Sequence, residues 1–231
     1  MDFIAEGFIQ AFKLLFAMDE ETMNILLTTL QLTLISMAGI MVIGLPLGFL
    51  LGYFDFPGKR IVRTLTDTLL ALPTVVIGLL VYAFISRRGP LGGYDLLFTV
   101  RGMAIGQLIL GIPIVVAYTA TAIEGLDNRL RQTLMTLGAS GLRLAGASLW
   151  EARFMVLVAA LTAFGRIIGE VGSAMMLGGN IKWHTRTITT AITLETGKGD
   201  FALGIALGVI LILISLLLNI SLSFLRRRTQ N

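Results

Sequence analysis

The sequence predicts an all-α polytopic membrane protein with five transmembrane helices, an N-terminal interfacial helix and one long cytoplasmic loop. Hydrophobic residues make up 55% of the 231 residues and charged residues only 14%, against about 45–50% and 25% in soluble domains. The mean hydropathy is +0.86, and five segments are long and apolar enough to cross a bilayer. A chain this short cannot hide so much apolar surface in one core, so lipid must be the solvent for much of its surface.

The N-terminal stretch predicts an amphipathic helix lying in the membrane interface. Apolar side chains recur there at helical spacing between charged ones: Phe3, Ile4, Phe8, Ile9, Phe12 and Leu15 against Asp2, Glu6 and Lys13. We place this first segment at 1–20 and the membrane domain at 21–231. The start is acidic and no small-residue cleavage site follows, so a signal peptide is not expected.

The five predicted spans are 25–53, 65–85, 103–123, 154–177 and 201–225. Pro46, Pro73 and Pro113 fall inside three of them, and each proline removes a helical hydrogen bond, so these helices are expected to bend or break. Ordinary packing is the alternative, because glycine and proline are common in membrane helices. Three interruptions in five helices favour a moving or pore-lining bundle.

The distribution of Lys and Arg predicts an N-terminus outside and a C-terminus in the cytoplasm. Five spans put the termini on opposite sides of the membrane. In that orientation the inner segments carry ten of the 18 Lys and Arg residues and the outer segments seven, while Arg166 lies within the fourth span.

The hydrophilic segment 124–153, here the 124–153 loop, is much longer than an average connection. Its leucines alternate with Arg129, Arg131, Gln132 and Arg143, and the sequence GASG stands at 138–141. This pattern predicts two short amphipathic helices joined at the glycines on the cytoplasmic side. Their apolar face would be buried by a groove on a partner protein; helices resting on lipid headgroups are the alternative.

Several motifs in the chain resemble those of bacterial ABC importer permeases. The run LGAS at 137–140 is followed by AFGRIIGEVG at 163–172 and LGGNI at 177–181. Gly138 matches the glycine of the family's E-A-A-x3-G-x9-I-x-L-P loop. The sequence departs from that pattern elsewhere, with QTL at 132–134 in place of E-A-A and with Ser148, Trp150 and Glu151 in place of I, L and P.

Other motifs are similar to those of the oxyanion importers, and of tungstate permeases in particular. They are LALPTVVIG at 70–78, SRRGPLG at 86–92, EAR at 151–153, TRTITTAI at 185–192 and LETGKG at 194–199. The resemblance covers about residues 22–225. Molybdate and sulfate stay open as substrates, because no residue tells the three anions apart by spacing or chemistry.

The resemblance implies a type I importer fold in a bacterial or archaeal plasma (inner) membrane. Two copies of the chain would form the pathway, two ATP-binding subunits would dock on its coupling helices, and an extracytoplasmic binding protein would deliver the oxyanion. The coupling residues would be Gln132, Leu134, Leu137, Gly138, Ala139, Ser140, Leu142 and Arg143. The pathway or intramembrane charge would involve Pro73, Thr74, Arg166 and Glu170, and the outer gate or binding-protein contact Asn180, Thr185, Arg186 and Thr187.

The chain is not expected to hydrolyse ATP itself. A phosphate loop needs G-x4-G-K-[ST], and neither GKR at 58–60 nor GKG at 197–199 fits it. ATP and Mg²⁺ would therefore be bound by the partner subunit, with no cofactor, metal or nucleic acid in this chain. The sequence has no cysteine and one histidine, which excludes thiolate metal sites and disulfides.

Arg166 and Glu170 stand four residues apart within the predicted fourth span. On a continuous helix they would face the same way and pair, because a lone charge at the bilayer centre costs about 2.5–3.5 kcal/mol on insertion scales. A structural ion pair is favoured, and a pathway in which Arg166 attracts the anion is the alternative. The outer-loop cations also have two interpretations. They would attract an anion or the binding protein, or they would only keep the loops soluble.

Two other functions are compatible with parts of the sequence. A secondary anion transporter or channel would need no ATP, although the inverted repeat typical of secondary transporters is not visible. An intramembrane serine protease would use Ser140 with His184, the sole histidine, as its base. The predicted topology separates these two residues by about 30 Å of membrane, which argues strongly against the protease.

Overall fold

The computed structural model describes residues 2–17 and 19–228. The described side chains exclude those of 2, 3, 15, 128, 130, 131, 134, 218 and 221–228. The helices are α1 Asp2–Phe16, α2 Glu20–Tyr53, α3 Lys59–Leu70, α4 Thr74–Ile85, α5 Val100–Glu124, α6 Asn128–Thr136, α7 Leu142–Glu151, α8 Arg153–Ile168, α9 Gly172–Gly178, α10 Ile188–Gly197 and α11 Phe201–Arg228, with a 3-10 turn at Gly92–Tyr94. The described part of the chain contains no strand. The predicted all-α class is confirmed.

The predicted spans are all helical, but two of them are interrupted. Within the described residues, α2 and α5 are each long and apolar enough to cross a membrane, and α3 with α4 (bent by 101°) and α7 with α8 (64°) are further candidate spans. A shorter apolar stretch, Phe201–Leu217, lies in α11. The segment 65–85 breaks between α3 and α4, and the segment 154–177 breaks between α8 and α9.

The prediction that helices bend or break at proline is confirmed as a break at Pro73. Pro73 stands between α3 and α4, where its fixed φ and missing N–H end one helix and begin the next. Helices α2 and α5 instead run on through Pro46 and Pro113. The two helices pack closely in this region, since a Cβ at Gly44 would lie 3.0 Å from Val115.

Glycines on one face of α2 allow this close helix contact. A Cβ at Gly48 would lie 2.8 Å from the Val116 carbonyl oxygen, and one at Gly52 would lie 2.6 Å from that of Ala120. Small residues at such positions let membrane helices approach backbone to backbone. The packing is completed by Leu51, which is buried against α5.

The chain divides into two compact units. One unit contains the residues up to Ser36, Pro73–Gln107 and the chain from Ile167 onward, and the other contains Met37–Leu72 and Leu108–Arg166. The core of the first unit joins α1, α2, α10 and α11 through Ala11, Ile25, Ile188, Ala206 and Ile210. The second unit contains the 124–153 loop.

The predicted N-terminal helix is present as α1. It packs on α11 through its small residues: a Cβ at Gly7 would lie 2.6 Å from Ile205, and Ala11 is buried. The aromatic side chains Phe8 and Phe12 of the same helix are half exposed. A position in the membrane interface and a domain boundary at residue 20 stay predictions.

Candidate functional site

The 124–153 loop folds as the predicted helix pair. Asp127 caps α6, its Oδ1 accepting the backbone N–H of Arg129 at 2.9 Å. After α6 the chain turns at Gly138 (φ 81°) and Gly141 (φ 53°). Both values lie in the left-handed region that favours glycine. The two helices and their glycine junction are confirmed.

The junction presents apolar side chains to solvent. Leu137 is 77% exposed and Leu142 is 92% exposed. Gln132, Gly138, Ser140 and Arg143 are also exposed and Ala139 is half-buried, while the side chain of Leu134 lies outside the described residues. Met135 and Trp150, which the coupling prediction did not include, are exposed on the same two helices. Buried Leu144 and Ser148 face the other way and anchor α7.

A charged cluster lies at the base of this loop. Glu124 is the last residue of α5, and its carboxylate lies 3.2 Å from Lys59 Nζ and 3.6 Å from Arg63 Nη1. Sequence reasoning missed this cluster. The i, i+4 spacing of Lys59 and Arg63 marks one face of α3, but nothing local shows that the face meets Glu124.

The expected continuous helix across Arg166 and Glu170 is absent, and the pairing of these two side chains stays a prediction. Helix α8 ends at Ile168, so Glu170 is outside it, and the side chain of Glu170 is buried. Its Oε1 accepts the backbone N–H of Ser173 at 2.9 Å, and its carbonyl oxygen accepts the hydroxyl of Thr189 at 2.9 Å. The carboxylate therefore provides an acceptor for one backbone N–H in the first turn of α9, where a negative charge is favourable.

Two interrupted helices meet at this point. A Cβ at Gly172 would lie 2.9 Å from the hydroxyl of Thr74, and one at Gly78 would lie 2.9 Å from the Cα of Ser173. The structure thus brings the predicted residues Pro73, Thr74 and Glu170 together at the starts of α4 and α9. Non-helical backbone at membrane depth is tolerated where it is enclosed by protein or lines a cavity.

Polar side chains that the sequence analysis did not select also lie at this junction. Gln107 donates from Nε2 to the Ile167 carbonyl at 3.0 Å. The Oγ of Ser173 and the Oε1 of Gln107 are fully buried and make no hydrogen bond within the described residues. Gln107 is one polar residue in an otherwise apolar stretch of α5, which is the signal that would have found it.

The residues predicted as an outer gate form a compact turn at 178–190, here the threonine turn. Thr185 Oγ1 donates to the Gly178 carbonyl at 2.5 Å and accepts from the Ile181 N–H at 3.1 Å. Thr187 caps α10 in a reciprocal capping box with Thr190. Asn180 donates to the Thr190 carbonyl at 3.3 Å. Thr185 and Thr187 are buried, so these side chains build the turn.

Acidic partners neutralise several of the loop cations. Glu21 binds Lys182 Nζ at 2.7 Å and Arg186 Nη1 at 2.8 Å, and Glu195 binds Lys198 at 2.8 Å. Arg87 and Arg88 are exposed and line a cavity of about 740 Å³ with Ser86, Asp95 and Phe98. Within the described residues, Arg87 and Arg88 thus differ from Lys182, Arg186 and Lys198, which each have an acidic partner.

The sequence matches a family model described as the inner membrane component of binding-protein-dependent transport systems, over residues 44–231. The chain belongs to this family. The resemblance stated from the motifs is confirmed, and the protein is a membrane permease subunit of an ABC transporter.

Relatives within the family include permeases named for oxyanion uptake. The tungstate uptake permease TupB of Campylobacter jejuni is 47% identical over 227 residues, covering 98% of this chain and 95% of that protein. TupB of Peptoclostridium acidaminophilum is 35% identical, with 95% and 96% covered. The molybdenum transport permease ModB of Escherichia coli K12 is 30% identical, with 74% and 82% covered.

The fold of the permease is also that of a solved ABC importer. An inward-facing structure of the methionine transporter MetNI superposes with a TM-score of 0.74, covering 92% of this chain and 97% of that one. The sequence identity is 19%, so this likeness describes the fold alone.

Proposed function

We propose that this permease is the transmembrane subunit of an ATP-driven tungstate importer and that two copies form its translocation pathway. The observation that carries the substrate is the 47% identity to a tungstate permease over nearly the whole chain. The identity to the molybdenum permease is 30% over a smaller share. Discrimination among tungstate, molybdate and sulfate would rest mainly with the binding protein.

The 124–153 loop is the proposed coupling element. Leu137 and Leu142 are the apolar knobs that a groove on each ATPase subunit would bury, and their exposure supports this role. Gln132, Leu134, Ala139, Ser140 and Arg143 complete the contact. ATP and Mg²⁺ are bound by the ATPase subunits, so this chain transmits the movement and performs no hydrolysis.

Alternating access follows from this arrangement. Closure of the two ATPase subunits on ATP pulls α6 and α7 and opens the pathway outward, and hydrolysis reverses the movement. The junction of Pro73, Thr74 and Glu170 is the proposed intramembrane part of the mechanism, because interrupted helices offer exposed backbone groups and points of bending. The paired state of the Glu170 carboxylate with the Ser173 N–H supports a structural role for this acid.

In the proposed orientation the chain lies in a bacterial or archaeal inner membrane, with the N-terminus outside and the C-terminus in the cytoplasm. The binding protein then docks from the outside. The exposed pair Arg87 and Arg88 is better suited than Arg186 to attract an acidic surface or an oxyanion, since Arg186 is held by Glu21. The threonine turn with Asn180, Thr185 and Thr187 would act as a rigid outer gate.

Reconstitution tests the proposal. The tagged chain is purified from its native membrane in mild detergent, and the complex is placed in liposomes with the binding protein and labelled tungstate. We expect a complex of two permease and two ATPase chains, and uptake of labelled tungstate that requires ATP. Unlabelled tungstate should inhibit this uptake more strongly than molybdate or sulfate at the same concentration. A homo-oligomer without ATPase that transports tungstate would instead establish the secondary-transporter alternative.

A further inference from the structure

The base of the coupling loop is tied to α3 by ion pairs. Glu124 ends α5, three residues before the Asp127 that caps α6. Each of its carboxylate oxygens has a cation from α3: Lys59 Nζ lies 3.2 Å from Oε1 and Arg63 Nη1 lies 3.6 Å from Oε2. One carboxylate thus bridges the first two turns of α3 to the last turn of α5.

Arg63 holds α5 at a second point. Its Nη2 donates to the hydroxyl of Thr121, one turn before Glu124, and Thr121 in turn donates to the Ala117 carbonyl at 2.9 Å. The Nη1 atom of Arg63 is fully buried and makes no hydrogen bond within the described residues. Glu124 is therefore its nearby counter-charge, and a charged nitrogen without one would be costly to bury.

The rest of the cluster lies within single segments. Asp55 binds Lys59 at 3.2 Å, four residues along the chain, and Asp67 lies 3.9 Å from Arg63 within α3. Neither of these two acids connects α3 with α5. The link between α3 and α5 depends on Lys59, Arg63 and Glu124, here the basal clamp.

We propose that the basal clamp is a positioning device that transmits movement of the coupling loop into the membrane domain. The inference rests on the proposed ATP-driven function. Gly125, Leu126 and Asp127 are the whole connection between Glu124 and α6, and a movement of α6 that these residues absorbed would not reach α5. The clamp opposes this by fixing the carboxylate just before the glycine to α3, so that displacement of α6 turns α5 and α3 together.

A clamp of this kind differs from an ordinary stabilising ion pair in what its loss changes. Loss of a merely stabilising pair lowers the amount of folded protein, whereas each assembled complex still transports normally per ATP. Loss of a transmitting pair leaves ATP hydrolysis by the complex in place and lowers the number of anions moved per ATP. The ratio of uptake to hydrolysis therefore separates the two roles.

The experiment uses the complete complex in liposomes with tungstate-loaded binding protein. We expect Glu124→Gln and Arg63→Gln each to lower tungstate uptake per ATP hydrolysed by about five-fold or more, the lower range of coupling between sites. The double variant should lose less than the two single losses combined, because both single variants remove the Arg63–Glu124 pair. Glu124→Asp, which keeps the charge, should recover part of the ratio.

Asp67→Asn is the matched control. It also takes a carboxylate from Arg63, but one that belongs to the same helix, so the wild-type ratio is expected. If Glu124→Gln does not assemble, Lys59→Met decides the question in the same assay. An unchanged ratio, additive losses in the double variant, an equal loss in Asp67→Asn, or failure of every clamp variant to assemble would overturn the inference.

The wild-type complex separates this inference from the proposed function. Wild-type liposomes that take up no tungstate with ATP reject the importer. If the wild-type complex couples uptake to ATP and the clamp variants couple it equally well, the importer function is retained and only the role of the clamp is rejected.

Discussion

The 124–153 loop and the threonine turn both carry motifs shared with importer permeases, yet they use their side chains in opposite ways. In the loop, Leu137 and Leu142 are exposed, and Gly138 and Gly141 have open space beside them. In the turn, Thr185 and Thr187 are buried and hydrogen-bonded to backbone. The exposed loop motif therefore fits the surface proposed for a partner, whereas the buried turn motif builds the chain's own scaffold.

The contrast gives substitutions in the two regions different signatures. A change in the loop should alter assembly with the ATPase or transport per complex while the permease itself stays folded. A change in the turn should lower stability, and the surviving protein should transport normally.

Gly138→Glu should abolish ATP-coupled uptake while membrane insertion stays intact. The residue has φ 81°, which costs a side-chain-bearing residue about 1–2 kcal/mol, and the added carboxylate would enter the proposed apolar contact. Uptake into liposomes and the amount of inserted protein are measured together. Gly146→Glu is the control, because Gly146 lies within helix α7 with open space beside it. Normal ATP-driven uptake by Gly138→Glu would show that the coupling helices are misplaced.

Leu142→Asp should weaken copurification of the ATPase subunit by about 30-fold or more, the loss typical of a buried interface anchor. The thermal stability of the isolated permease should not change, because Leu142 is 92% exposed. Leu144→Asp, two residues away and buried, provides the opposite control and should unfold α7. Equal ATPase binding by wild type and Leu142→Asp would contradict an interface at this position.

The loop and the helix breaks also differ in how far sequence predicts them. The helix pair was predictable because leucine spacing, polar neighbours and the two glycines at 138 and 141 are all local signals. The break at Glu170 was not, since AFGRIIGEVG at 163–172 has the apolar composition of a continuous span. The acid leaves the helix to accept the Ser173 N–H, with its carbonyl oxygen on Thr189, and Thr189 is distant in sequence. The basal clamp escaped prediction for the same reason, because Glu124 meets α3 only after folding.

Glu170→Ala should destabilise the permease by about 1–3 kcal/mol, the cost of leaving a buried donor unsatisfied, because the Ser173 N–H loses its acceptor. Glu170→Gln retains an oxygen acceptor and should lose less. The thermal midpoint of the detergent-solubilised protein compares the two variants. Wild-type stability in Glu170→Gln combined with altered uptake would favour the pathway role over the structural one.

Thr187→Ala should give the smallest loss, about 1 kcal/mol, typical of an N-cap. Thr187 Oγ1 accepts the Thr190 N–H and the Thr190 hydroxyl accepts the Thr187 N–H, so the substitution leaves one buried donor at the start of α10 without its partner. Thr187→Ser keeps the hydroxyl and should retain most of the stability, which makes it the matched control for a lowered thermal midpoint. Because the turn is scaffold, uptake per folded Thr187→Ala complex should equal that of wild type. A stable Thr187→Ala complex with impaired uptake would instead make Thr187 a moving part of the gate. The threonine turn and the 124–153 loop would then both act in transport and would differ only in the side of the membrane on which they act.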